Sequence, residues 1–295
     1  MRSRLSRAAV VLILGLGGGA LAGCGSSAGN LVDPVARAAV ISNQAPGLRL
    51  NMTARISSSS LPAPVLMDGQ GSVQVASHRG SLTFTMHLPN LPQVTQALGS
   101  STLTLDERFD GTTIYMKLPP ALSKRAPGGK PWLKLDLAKA ASSAGLPGLG
   151  SLANNPASSD PSQMLGYLRA TSGGVRKVGT ETVNGLATTH YRGRLELDRV
   201  PGRFPPASRA QVRRAIAALE QLAHLKTLPV DVWVDRHQLV RRMHFAIQAS
   251  VSGQSLQEAF TIDIPQYGPQ PAPTLPRASQ VSDVTSLSSG SGSSP

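Results

Sequence analysis

The sequence predicts an α+β chain built on a single curved antiparallel sheet, a half-barrel of about nine or ten strands with helices packed in its concave mouth. Three observations predict it. Period-two alternation recurs along the chain and puts apolar residues on one face only. Asp-Gly and Asn-Gly pairs stand between the alternating segments. Two other stretches carry apolar residues at helical spacing.

The strands are taken in order. Leu48, Leu50, Met52, Ala54 and Ile56 share one face, as do Leu82, Phe84, Met86 and Leu88. Leu103, Leu105 and Phe109 follow, with Asp106 and Arg108 on the other side. Ile114, Met116 and Leu118 alternate with Thr113, Tyr115 and Lys117, and Leu133, Leu135 and Leu137 with Trp132, Lys134 and Asp136. Thr189, Tyr191, Leu195 and Leu197 form the next face. Then come Val230, Val232 and Val234; Met243, Phe245 and Ile247; and Phe260, Ile262 and Ile264. Asp110-Gly111 and Asn184-Gly185 tolerate the positive φ of tight hairpins, so neighbouring strands run antiparallel. Asp235–Gln238 and Ser252-Gly253 read as further turns. One-sided alternation leaves one wet face and one that must be covered.

Helices supply the cover. A short one is expected around Val35–Ile41. Asp160-Pro161 is a helix start, with Asp as N-cap and Pro at the first helical position, leading to Met164, Leu165 and Leu168. Residues 208–223 carry the stripe Val212, Ala215, Ile216, Leu219, Leu222 and Ala223. A weaker turn is expected at 137–144, and 145–161 reads as a loop rich in Gly, Pro, Ser and Asn.

The first residues are an export signal. Met1–Arg7 is basic, and Ala8–Leu21 is 14 residues of apolar side chains and glycine. A spanning helix needs about 20. Leu21-Ala22-Gly23-Cys24 follows, and Cys24 is the one cysteine in the chain. This tetrad resembles the bacterial lipobox, which implies cleavage between Gly23 and Cys24 and a diacylglycerol thioether on Cys24. Two or three acyl chains, each gaining about 0.8 kcal/mol per buried CH₂, hold a protein stably to a membrane. The expected organisation is a signal peptide at 1–23, a lipidated tether at 24–46, one domain at 47–275, and a low-complexity tail at 276–295.

Composition excludes several functions. A single cysteine excludes an internal disulfide and a C-x-x-C redox pair. Removing Arg2, Arg4 and Arg7 with the signal takes the net charge from +13 to +10, which favours anionic surfaces. Aromatics at 4%, together with export, argue against nucleic acid. There is no H-E-x-x-H or P-loop, and the six histidines show no ligand spacing, so neither catalysis, cofactor nor metal is expected. Asp231 and Asp235 flank Trp233 and read as outward carboxylates at a hairpin end, with Trp233 under a loop. Asp106-Glu107 reads as a solvated pair. Arg209, Arg213 and Arg214 are either an ordinary solvated helix face or a contact for anionic headgroups.

Lys130–Leu137 (KPWLKLDL), the stretch 175–183 with its core Lys177-Val178-Gly179-Thr180-Glu181, and 228–243 with Val230-Asp231-Val232-Trp233-Val234-Asp235 resemble the LolA/LppX-like half-barrel lipoproteins. The resemblance is strongest to the actinobacterial LppX/LprA/LprF/LprG family and covers residues 48–267. It implies a cavity between sheet and helices that takes acyl chains, and transport of lipid or glycolipid in the cell envelope. On that reading Phe84, Met86, Ile114, Met116, Tyr191, Leu195, Met243 and Phe245 are the expected lining. The implied setting is the extracytoplasmic face of the cell membrane, as a monomer held by the Cys24 acyl chains, with a membrane transporter as a candidate partner. The alternative is a sensor of the same fold that binds a membrane protein.

Overall fold

The computed structural model describes residues 33–89, 99–137, 175–203, 226–251 and 254–285, and positions 96, 139, 165, 168, 209–210, 213, 216–217 and 220. Gly23, Cys24, Arg214, the 145–161 loop and Ser252-Gly253 lie outside the described residues.

Twelve strands form one sheet, more than the sequence pattern suggests. They are β1 (Gly47–Ser58), β2 (Val65–Gln74), β3 (Arg79–His87), β4 (Thr102–Asp110), β5 (Thr113–Lys117) and β6 (Trp132–Asp136), then β7 (Arg176–Val183), β8 (Leu186–Glu196), β9 (Thr227–Asp235), β10 (Val240–Val251), β11 (Gln254–Tyr267) and β12 (Val281–Asp283). Their order is β12-β6-β5-β4-β3-β2-β1-β11-β10-β9-β8-β7, antiparallel throughout except for the parallel β12–β6 pair. Among the described strands β7 and β12 are therefore the edges, and the curved sheet does not close.

The three strands added to the expected set each have a local reason. On β2 the inward positions include Gly69 and Gly71 where an alternating strand would show large apolar residues. β7 is mostly exposed and has few apolar side chains. β12 falls within the segment read as a tail, where Val281 pairs with Trp132 and Ser282 is buried.

Turn chemistry behaves as the residue types require. Asn184 (φ 50°) and Gly185 (φ 77°) both lie in the left-handed region, so the β7–β8 connection is the tight hairpin that pair favours. The β9–β10 turn is held by Asp235, whose Oδ1 accepts from the backbone N–H of His237 (2.8 Å) and Leu239 (3.0 Å). Arg241, the extra residue of a bulge in that hairpin, donates to Asp235 Oδ2 at 2.8 Å.

The core lies on the concave side. Helix α1 (Pro34–Asn43) begins with the Asp33 cap, whose carboxylate accepts from Val35 and Ala36. It buries Val35, Ala38 and Ala39 against β9 and β10. Ser42, also buried, accepts the Val240 N–H at 2.9 Å, and the Tyr267 hydroxyl donates to the Val240 carbonyl. Leu165, Leu168 and Ile216 join the same core, and residues 209–210, 213, 216–217 and 220 are helical. Both expected stripes thus touch the core where they are described. A one-turn helix, α2 (Pro120–Ser123), lies between β5 and β6. No helix of the described residues is long and apolar enough to cross a membrane.

Candidate functional site

Cross-strand registers resolve the concave face into rows. One row runs Ala54–Met67–Met86–Leu103 and the next Met52–Gly69–Phe84–Leu105. A third runs Gly71–Leu82–Glu107–Met116–Leu133. The fourth is Val73–Gly80–Phe109–Ile114–Leu135. On the far side of β1 the same face continues through Ile262, Met243, Val232 and Tyr191.

The two halves of this face differ in cover. From β1 through β11, β10 and β9, residues such as Leu48, Leu50, Met243, Val230, Val232 and Ile262 are essentially sealed by α1 and by Leu165, Leu168, Leu197, Val200 and Ile216. From β2 to β6 the large apolar side chains stay partly accessible. Met67, Phe84, Met86, Leu103, Leu105, Ile114, Met116, Leu133 and Leu135 are all in that state, and only Val73, Leu82 and Phe109 are closed off. Five strands by four rows make an apolar wall of roughly 20 Å by 20 Å. Such a contiguous accessible surface is the kind that monomeric proteins reserve for an occupant.

The expected lining residues divide between these halves. Phe84, Met86, Ile114 and Met116 stand together on the open wall. Met243, Phe245 and Leu195 are buried in the packed half, at 0%, 7% and 7% exposure, and Tyr191 packs against that core while partly accessible. Alternation marks all eight as inward, but it carries no information on which stretch of sheet a helix will cover.

Glu107 stands in the middle of the open wall. The sequence reading paired it with Asp106 as solvated, yet only Asp106 faces out, accepting from Thr83 Oγ1 at 2.9 Å with Lys117 Nζ 3.8 Å away. Glu107 faces in, opposite Leu82 and Met116. Burial pushes its carboxyl up to about 7. Among the described residues that carboxyl has no hydrogen bond or ion pair. The signal for this was available: Glu107 has the parity of Leu105 and Phe109. Glu258, opposite Ile56 and Ile247, is a second inward acid, also raised by burial.

The basic helix face borders a cleft. Arg209 and Arg213, one turn apart and exposed, line about 450 Å³ with Asp198, Arg199, Pro201 and Gly202. Buried Leu197 and Val200 fix one wall, and buried Ile216 fixes the helix. Among the described lining residues, three guanidinium groups stand with one carboxylate, a balance that favours anions. A second cleft, about 500 Å³, runs from Ser100–Thr104 to Lys117–Leu122 and meets the apolar wall at Leu103.

The outer face of β7–β10 carries a network instead of a reaction centre. His190 Nδ1 lies 2.9 Å from Glu181 Oε1 and its Nε2 lies 2.6 Å from Asp231 Oδ1. Its ring stacks on Trp233 at 4.2 Å, and Trp233 Nε1 donates to Glu181 Oε2 at 2.9 Å. Arg192 also donates to Asp231, and Arg242 lies over the indole while holding Asp263. Trp233 therefore packs under His190 and Arg242, not under a loop. The Trp233 hydrogen bond first, and the His190 contact after it, hold the Glu181 carboxyl below its usual range. Asp231 and Asp235 share a face but serve different partners, so they are not an acid pair. No group of three His, Cys, Asp or Glu among the described residues is arranged to hold a metal.

No family model matches the chain. An uncharacterised 31.2 kDa protein of Streptomyces griseus, from the rplA–rplJ intergenic region, is 28% identical over 196 residues. That match covers 65% of this chain and spans 60% of the relative's length. Among solved structures, LprF from Mycobacterium bovis is similar over 82% of this chain and 94% of that one, at 12% identity and a TM-score of 0.40. The Mycobacterium tuberculosis lipoprotein LppX is similar over 82% and 100%, at 12% identity and a TM-score of 0.38. The Pseudomonas aeruginosa MucA/MucB complex is similar over 82% and 57%, at 13% and 0.28. LprF and LppX are of the family whose motifs the sequence resembles. At this identity and overlap, none of the three bears on what this chain binds.

Proposed function

We propose that the chain is an envelope lipoprotein, tethered through acyl chains on Cys24, whose half-barrel binds lipid or glycolipid acyl chains on the concave wall of β2–β6. The observation that carries the reading is the unequal cover of one continuous apolar face. One half is sealed by helices, and the other keeps partly accessible Phe, Met, Leu and Ile on five adjacent strands. Met67, Met86 and Met116 suit it to chains of variable shape, because an unbranched thioether repacks easily. The lipobox resemblance supports placement at the outer face of the membrane, beside a supply of such chains. The Arg199–Arg209–Arg213 cleft is where an anionic headgroup would be held.

The physical demand on such a carrier is balance. An acyl chain of sixteen carbons gains roughly 12 kcal/mol on leaving water, so it does not cross an aqueous gap alone. A rigid sheet offers comparable burial, and only an incompletely covered one lets the chain enter and leave. Native mass spectrometry of the protein, produced with its own signal in a bacterial host, tests this. A reproducible co-purified acyl lipid is expected; protein that is always empty overturns the reading.

A further inference from the structure

An ionisable side chain facing into an apolar wall costs stability, and among the described residues no hydrogen bond or ion pair repays Glu107. Every other inward position of β2 to β6 among the described residues is apolar or glycine. Leu82, Gly80 and Phe84 face Glu107 from β3, Ile114 and Met116 from β5, Leu133 from β6, and Leu105 and Phe109 from its own strand. None of these titrates. The charged neighbours Asp106, Arg108 and Lys117 have the opposite parity and lie on the outer face, where Arg108 covers Trp132 and Lys117 approaches Asp106. Among the described residues Glu107 is thus a carboxyl without a polar partner, at the centre of the surface on which an acyl chain would lie.

Resting on the acyl-binding reading, we propose that Glu107 is the specificity residue of the wall: its protonated carboxyl donates a hydrogen bond to the ester or amide carbonyl of an acyl lipid. The wall then selects acyl compounds over plain hydrocarbon, and it fixes the depth at which the polar joint of the ligand sits. A protonated acid suits this position because it is uncharged yet still a donor. Its ionised form accepts only and repels a carbonyl oxygen. A ligand covering it would strip water from a charge, so binding weakens as the carboxyl ionises. Burial holds the neutral form up to about pH 7, so the change falls within the ordinary working range.

The experiment uses the delipidated full chain and two polyene probes, methyl cis-parinarate, which carries an ester, and diphenylhexatriene, which carries none. In the wild type, the ester should bind better relative to the hydrocarbon at about pH 5.5 than at about pH 8.5. Glu107→Leu should lose about two- to tenfold of that ester preference, the worth of one hydrogen bond, while binding diphenylhexatriene at least as well. Glu107→Gln keeps a donor without titrating, so it should retain the preference and lose its pH dependence. Ester preference unchanged in Glu107→Leu, or an equal pH profile in Glu107→Gln and wild type, overturns the proposal. If no variant binds either probe, the acyl-binding reading itself has failed.

Discussion

Glu107 and His190 show how parity and partners decide what an ionisable residue does. Both lie mid-strand, yet His190 faces outward into Glu181, Asp231 and Trp233, while Glu107 faces inward with no counter-charge among the described residues. For Glu107 the folded carboxyl titrates near 7 and the unfolded one near its ordinary 4.5. Between those values the folded chain holds the extra proton, so stability falls as pH rises, and it levels off above about 7. The loss is on the order of 3 kcal/mol at most. Urea midpoints should therefore drop from pH 5 to pH 8 in the wild type more steeply than in Glu107→Gln; parallel curves would disprove the assignment. On the outer face, Trp233→Phe keeps the stacking but leaves a Glu181 oxygen without its N–H donor. A loss of about 1 kcal/mol is expected from chemical denaturation. The sequence showed both residues as strand positions. The Glu181–His190–Trp233 contacts were not legible, because they join β7, β8 and β9 through registers that one strand's pattern does not contain.

At the scale of elements, β2 and β3 explain both what was legible and what was not. Alternation is visible when the inward residues are large, as on β3 and β5. It vanishes on β2, because Gly69 and Gly71 leave their room to neighbours across the strand. A Cβ at Gly69 would lie 2.9 Å from the Phe84 ring and 3.2 Å from Met52 Cε, and one at Gly80 would enter the Phe109 ring and the Ser72 carbonyl. Small residues there let large ones lie flat along the curved sheet. Gly80→Ala should accordingly cost about 1–3 kcal/mol by overpacking a position with no slack. Gly179→Ala on β7, where nothing stands within 4 Å, should be neutral or slightly stabilising. Equal effects in a thermal-shift comparison would contradict this account of the curvature. α1 was legible for a different reason: Asp33-Pro34 is a local start signal that needs no tertiary context.

Over the whole molecule, the sheet is one surface with two stabilities. The half from β1 to β9 buries most of its inward face under α1 and the other core residues, leaving Ile56, Ile247, Glu258 and Phe260 partly accessible, while β4 to β6 keep most of theirs partly accessible. Local opening follows burial, so amides of β10 and β11 should exchange near the global unfolding rate and those of β4 to β6 much faster. An acyl ligand on the open wall changes this selectively. It binds the folded form alone, so saturation at a hundred times Kd raises stability by about 2.7 kcal/mol. That gain is felt most where opening was easiest. Hydrogen exchange with and without methyl cis-parinarate should therefore slow mainly at β3 to β6 and leave β9 to β11 nearly unchanged. Protection spread evenly over all strands, or centred on Met243 and Phe245, would place the ligand in the packed half and remove the wall from the binding site. The sequence could not choose between these halves, because their inward residues are the same kinds of side chain. The choice is made by which strands the helices cover, and that is decided by contacts such as Ser42 to Val240, between residues 198 positions apart.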